Sequence, residues 1–193
     1  VVVYCEPTAD FDADPECLNE TTIFQDLSTP AGTITSWEWD FGDGSPFSTD
    51  SNPIYNYSSC DSFLVRLAIE DTYGCRDTIP KNVVVWCLPQ PSFFANPVCE
   101  DSTITFVSTS QPGNPPSGII TSWSWSFTSQ DTAIVTNVYY SCNNYVETLT
   151  VTDTNSCSKT VSETISQTLS GCPSDTDSDV NKKLPSIINP PNF

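Results

Sequence analysis

The chain repeats itself. "VVVYCEP" at Val1 returns as "VVVWCLP" at Val83, an offset of 82 residues (83 − 1). The same offset relates Cys5 to Cys87, Cys17 to Cys99 and Phe24 to Phe106. A four-residue insertion within "SQPGNPPSG" raises it to 86 (123 − 37), so that Trp37 meets Trp123 and Trp39 meets Trp125. A compensating deletion before "YYSCNNY" restores 82 and matches Cys60 with Cys142 and Cys75 with Cys157. A period this long is a whole small domain rather than a solenoid unit. The expected domains are residues 5–87 and 88–172, followed by a short extended C-terminal tail, 173–193, acidic and then Pro-rich. Residues 1–4 align with the "VVVW" that closes the first copy, so they read as the last strand of a preceding repeat in a longer array.

Within each copy the local signals are those of strands. "TTIFQDL", "TITSWEWDF", "FLVRLAIED" and "IPKNVVVW" are short runs of β-branched and aromatic residues in period-two alternation. The second copy answers with "STITFVS", "IITSWSWSF", "ETLTVTD" and "TVSETIS", separated by turn clusters such as "DTYGC" and "DTNSC". The expected fold class is all-β, two tandem immunoglobulin-like sandwiches.

Charge and cysteine content narrow the function. With 24 acidic residues against 6 basic ones, a net charge of -18 disfavours nucleic acid and anionic membrane surfaces. The chain has no His, which removes the commonest general base and transition-metal ligand. No run approaches the roughly 18 apolar residues of a membrane span, so membrane insertion is not expected. Nine cysteines without a CxxC pair point to disulfides in an oxidising, extracellular setting.

The densest motif is "SWEWDFGDGSPF", residues 36–47. Alternation places Trp37, Trp39 and Phe41 on one face and sets Asp40 and Asp43 among glycines. Copy two keeps Trp123, Trp125 and Phe127 but replaces Asp40 by Ser126 and Asp43 by Ser129. An aromatic core is thus retained while the acids drift, so Asp40, Gly42, Asp43 and Gly44 read as a structural turn rather than a catalytic pair. The stretch "WEWDFGDGSPFSTDSNPIYNY" closely resembles the signature of the polycystic-kidney-disease (PKD) domain. Trp39 to Ser45 match that signature throughout, and Asn52, Pro53 and Tyr57 match its second half; Tyr55 stands where the family usually has His. The resemblance implies a seven-stranded sandwich used as an extracellular stalk, spacer or adhesion module. It also implies that Tyr57 and its counterpart Tyr139 sit at a tyrosine corner.

In a sandwich of this kind the start of the first strand and the last hairpin turn share one end. That topology implies Cys5–Cys75, Cys17–Cys60, Cys87–Cys157 and Cys99–Cys142, leaving Cys172 over; pairing between neighbouring domains is the rival arrangement. Further candidates are calcium ligation by Asp10, Asp12 and Asp14 or by Asp175, Asp177 and Asp179. No other cofactor is expected. Two sequons lie at Asn19 and Asn56, and Asp-Ser/Thr-apolar triplets resembling a bacterial O-glycosylation motif mark Thr78, Ser102 and Thr132. "LPSIINPPNF" loosely resembles the segment that opens the sorting domain of gliding-motility surface proteins of the type IX secretion route.

The function expected on this reading is structural and non-enzymatic. The chain would be part of the stalk or filament of a large secreted cell-surface adhesin, with neighbouring repeats, other surface proteins, glycans or copies of itself as partners. The alternative is an accessory spacer or substrate-binding module of a secreted polysaccharide hydrolase or protease.

Overall fold

The structure, a computed structural model, describes residues 7–96, 103–140 and 143–166. Regular elements among them are all strands, and none is a helix long and apolar enough to cross a membrane. The first unit contains β1 (Phe11–Ala13), β2 (Glu16–Cys17), β3 (Thr22–Asp26), β4 (Ile34–Asp40), β5 (Ile54–Tyr55), β6 (Ser62–Asp71) and β7 (Arg76–Trp86). These form a three-stranded sheet, β1-β3-β5, and a four-stranded sheet, β2-β7-β6-β4. The second unit contains β8 (Phe93–Ala95), β9 (Thr103–Ser108), β10 (Ile120–Trp125), β11 (Ile134–Val138), β12 (Asn144–Asp153) and β13 (Ser158–Ser166). Its sheets are β11-β9-β8 and β10-β12-β13.

Alternation explains the cores. In β6 the inward row is Phe63, Val65, Leu67 and Ile69; they meet Phe11 of β1, Phe24 of β3 and Trp39 of β4 in one buried cluster. Each such side chain contributes about 1.5–3 kcal/mol on burial. The second unit repeats the arrangement to the level of ring geometry. Phe11 meets Trp39 edge-on at 5.2 Å and 74°, and its counterpart Phe93 meets Trp125 at 5.2 Å and 76°. Trp37, Phe127 and Trp123 pack against the two cores, while Phe41, Tyr57 and Tyr139 lie within them.

The disulfides depart from the expected pairing. Cys17 is joined to Cys157, across 140 residues and across the two units, with a Cα–Cα distance of 5.6 Å. Cys60 is joined to Cys87, 27 residues on, at 5.0 Å. These bonds replace both Cys17–Cys60 and Cys87–Cys157. Strand register is the reason. β6 and β7 run antiparallel with Ser62 opposite Val84, so Cys60, just before β6, falls opposite the end of β7 and reaches Cys87. β2 instead pairs parallel with the end of β7, Cys17 opposite Trp86, which carries Cys17 to the boundary with the next unit. There the turn after β12 presents Cys157. The pairs involving Cys5, Cys99 and Cys142, and the position of Cys172, lie outside the described residues.

Candidate functional site: the joint between the two sandwiches

The joint starts from a tight turn. Cys17 to Glu20 fold back on themselves, Glu20 N–H donating to Cys17 O at 2.9 Å and Cys17 N–H to the Glu20 carboxylate at 3.3 Å. Asn19 holds the positive φ of 78° that the turn needs, a conformation Asn tolerates better than most residues. Leu18 N–H then donates to Trp86 O at 2.9 Å, fastening the turn to the strand that leads out of the first unit.

The insertion singled out by the repeat lies against that strand's exit. Cys87 N–H donates to Pro116 O at 2.7 Å. A Cβ on Gly113 would stand 2.6 Å from Leu88 O and 2.8 Å from Cys87 O, so only glycine permits this approach. The extra residues of "SQPGNPPSG" therefore buttress the segment between the units.

Asp153 couples this loop to the disulfide. It is 3% exposed and ends the inward row of β12. One carboxylate oxygen accepts Asn155 N–H at 2.9 Å and Cys157 N–H at 3.0 Å; the other accepts Gly118 N–H at 3.0 Å. The same carboxylate thus shapes the turn bearing Cys157 and pins the end of the insertion. Asp71, its counterpart at the offset of 82, shapes the first unit's turn through Tyr73 N–H at 2.8 Å and Cys75 N–H at 2.9 Å. Beside the joint runs a groove of about 640 Å³, bordered by Leu18, Asn19, Leu88, Pro91, Lys159 and Val161.

The other singled-out residues lie away from the joint. Asp40 accepts Gly42 N–H at 3.0 Å; Asp43 accepts Ser45 N–H at 3.0 Å and the Tyr55 hydroxyl at 2.8 Å. Gly42 and Gly44 have φ of 78° and 82°. Burial works against ionisation of Asp43, but the hydrogen bonds from Ser45 and Tyr55 outweigh it and hold its carboxyl below the usual range. Both acids serve the turn. Tyr57 donates to Phe41 O at 3.1 Å, and burial, reinforced by the nearby Asp43 charge, raises its phenol. Tyr139 donates instead to Glu147 at 2.6 Å and is raised by burial and by that bond.

Asp10 is engaged by a cation of the protein itself. Lys81 Nζ lies 2.6 Å from its carboxylate, also donates to Phe11 O, and stands 5.1 Å from the Phe11 ring centroid. The hydrogen bond from Lys81 lowers the carboxyl of Asp10. Asp12 accepts Ala13 N–H at 3.0 Å, and among the described residues no group of three or more acidic, Cys or His side chains is placed to hold a metal ion. Asp175, Asp177 and Asp179 lie outside the described residues. Thr78 and Thr132 are exposed, the latter donating to Ile134 O at 2.8 Å; Ser102 lies outside the described residues.

Sequence reasoning passed over Asp71, Asp153 and Glu147. The first two were detectable, being acids kept at the repeat offset immediately before a turn. Glu147 breaks the alternation of its strand where the first copy has Val65, which is itself a signal.

Residues 5–85 match the family described as the PKD domain. A microbial collagenase of Vibrio alginolyticus is 38% identical over 64 residues, 33% of this chain and 8% of its own length. The pre-pro-metalloprotease PrtV of Vibrio cholerae serotype O1 is 34% identical over 108 residues, 54% of this chain and 11% of its own length. The crystal structure of the first PKD domain of Vibrio cholerae PrtV aligns with 42% of this chain and 98% of its own, at 32% identity and a TM-score of 0.38. The chain spans about a tenth of the length of the curated relatives it matches. The first sandwich of this chain is a PKD domain.

Proposed function

We propose that the two sandwiches act as one braced, non-catalytic spacer in a larger secreted protein, as an accessory module of a hydrolase or protease. The observation that carries this reading is the Cys17–Cys157 bond, which ties the first unit to the second across 140 residues. A flexible tether between domains has no use for a covalent brace, a buttressing loop and a glycine fitted against the connecting backbone. A fixed spacer needs all three, because its working property is the angle and distance it holds. The disulfides fit an oxidising, extracellular setting.

The curated relatives favour an accessory module over a surface filament, since both carry a similar stretch within a much longer protease or collagenase. Catalysis within these residues finds no support in Asp40 and Asp43, each of which accepts a backbone N–H of the turn.

Small-angle X-ray scattering on the chain and on its C17S/C157S variant tests the brace. The intact chain should scatter as a single rigid body of fixed maximum dimension. The variant should show the broadened profile of two units pivoting about residues 87–91. Identical profiles would mean that the bond fixes nothing.

A further inference from the structure

We propose that two copies of this chain associate through the outer face of the second unit's sheet β11-β9-β8, stacked sheet on sheet about a two-fold axis. Strand register builds that face. Phe93, Ile104, Phe106 and Val135 point into the core, so by alternation Phe94, Thr105, Val107, Ile134 and Thr136 point outward. Val107 lies opposite Phe94 on one side and Ile134 on the other, which makes one apolar row across all three strands. Phe94 is 49% exposed and Ile134 59%. Thr105 and Thr136 form the next row. Single apolar side chains on a surface are ordinary, but a continuous row on a flat sheet marks an interaction face.

The first unit lacks this row. At the offset of 82, Asp12 stands for Phe94 and Gln25 for Val107, and those two are paired in the same register. Its third strand, Ile54–Tyr55, pairs with Thr22 and Ile23 rather than with Gln25, whereas β11 runs from Ile134 to Val138 beside β9. The row therefore belongs to the second unit alone, made by two exchanges and one longer strand.

Charge selects the occupant. No residue of β8, β9 or β11 is ionisable, in a chain with 24 acidic residues, 6 basic ones and a net charge of -18. A basic partner would gain by docking on the acidic surface and finds nothing to pair with here. A second copy is the opposite case. Like charges repel it wherever carboxylates face carboxylates, and an uncharged face lets it close without that repulsion at the contact. The contact is also self-complementary. Turned about a two-fold axis, the row of Phe94, Val107 and Ile134 meets its own image, as the inner faces of a sandwich meet at about 10 Å. Three strands about 4.8 Å apart and about five residues long offer a footprint on the order of 250 Å², well short of the roughly 800 Å² per partner of a standard interface. The dimer is accordingly weak and forms where copies are held close together.

The test is sedimentation velocity on the full chain, from roughly 0.02 to 1 mM, in about 20 and about 500 mM NaCl, between which the Debye length falls from about 20 Å to about 4 Å. A monomer–dimer equilibrium should appear at high salt with a dissociation constant on the order of 0.5 mM. It should weaken about tenfold at low salt, where repulsion between the copies is unscreened. F94D/V107Q installs the pair that the first unit carries in the same register and should abolish the dimer while keeping the melting temperature. I134K, at a position already exposed, should abolish it too and guards against a misfolded F94D/V107Q. I23K, in the exposed Ile23–Ile54 pair of the first unit, should leave it intact. A chain that stays monomeric at roughly 1 mM in high salt overturns the proposal, whether its own residues 173–193 or a foreign partner covers the face. So does a dimer that survives F94D/V107Q and I134K, one that is lost in I23K, or one that tightens as salt is removed. Scattering from the dilute chain decides the spacer reading separately, so neither reading falls with the other.

Discussion

The Tyr139 hydroxyl donates to Glu147 at 2.6 Å, and the Ser126 hydroxyl donates to the other oxygen of the same carboxylate. Glu147 is 7% exposed and occupies the place of Val65, which is fully buried in the first unit. The second sandwich has therefore exchanged an apolar core residue for a carboxylate held by two hydroxyls. Tyr57, with no such partner, donates to the backbone at Phe41. A buried acid is tolerated only when its oxygens are satisfied, and here they are.

Replacing Glu147 by Ala should destabilise the second unit by about 2–4 kcal/mol, from a cavity and two stranded hydroxyls. Glu147→Val should cost less, because valine fills the site as Val65 does and Tyr139 can turn to a backbone carbonyl as Tyr57 does. Urea midpoints of the two variants give the order; the reverse order would show that valine does not fill this site as Val65 fills its own.

Gly113 should tolerate no side chain. Its added Cβ would press on two backbone oxygens, at 2.6 and 2.8 Å, which cannot swing away as a side chain would. Gly113→Ala should therefore lift the insertion off Leu88 at a cost of about 1–3 kcal/mol. Hydrogen exchange should report it through faster exchange at Cys87, whose N–H donates to Pro116. Unchanged protection there would separate the loop from the joint.

The repeat, the strand alternation and the aromatic core were legible because they are written in the spacing of residues such as Trp39, Trp125, Phe24 and Phe106. The turn role of Asp43 was legible because the second copy dispenses with it. The disulfides were not, because connectivity depends on register and on which end of a strand faces the next unit. The parallel pairing of two-residue β2 with β7 leaves no pattern in the sequence, yet it decides where Cys17 points. The joint escaped for a related reason: "SQPGNPPSG" announces an insertion but not the surface it rests on. A neutral loop and a buttress read alike until Gly113 is seen against Leu88.

Stability should fall at both ends of the pH scale. Asp43 and Asp10 are lowered from 3.8, so the stability they contribute is present above about pH 4 and is lost as pH drops through their folded values. Asp43→Asn should shrink the fall in melting temperature between neutral and acid solution. Tyr57 and Tyr139 are raised well above 10.0. Their contribution is complete below about pH 10, where unfolded tyrosine begins to ionise, and declines as pH rises beyond it. Absorbance at alkaline pH should show two of the seven tyrosines ionising only as the chain unfolds. Ionisation of all seven in the folded state would contradict the burial of these two.

The two disulfides should differ in what they protect. Cys60–Cys87 closes a 27-residue loop inside the first unit, worth about 3.5 kcal/mol in the chain-entropy treatment. Cys17–Cys157 closes 140 residues, worth about 5 kcal/mol, and that loop contains the joint and most of both cores. C60S/C87S should therefore lower the melting of the first unit, whereas C17S/C157S should uncouple the units. Calorimetry of the intact chain should give one transition, and of C17S/C157S two, because a sandwich that unfolds no longer drags its neighbour through the shared bond. Non-reducing peptide mapping supplies the covalent half of the argument. Recovery of Cys17 tied to Cys60, with Cys157 tied to Cys87, would leave each unit closed on itself and remove the brace.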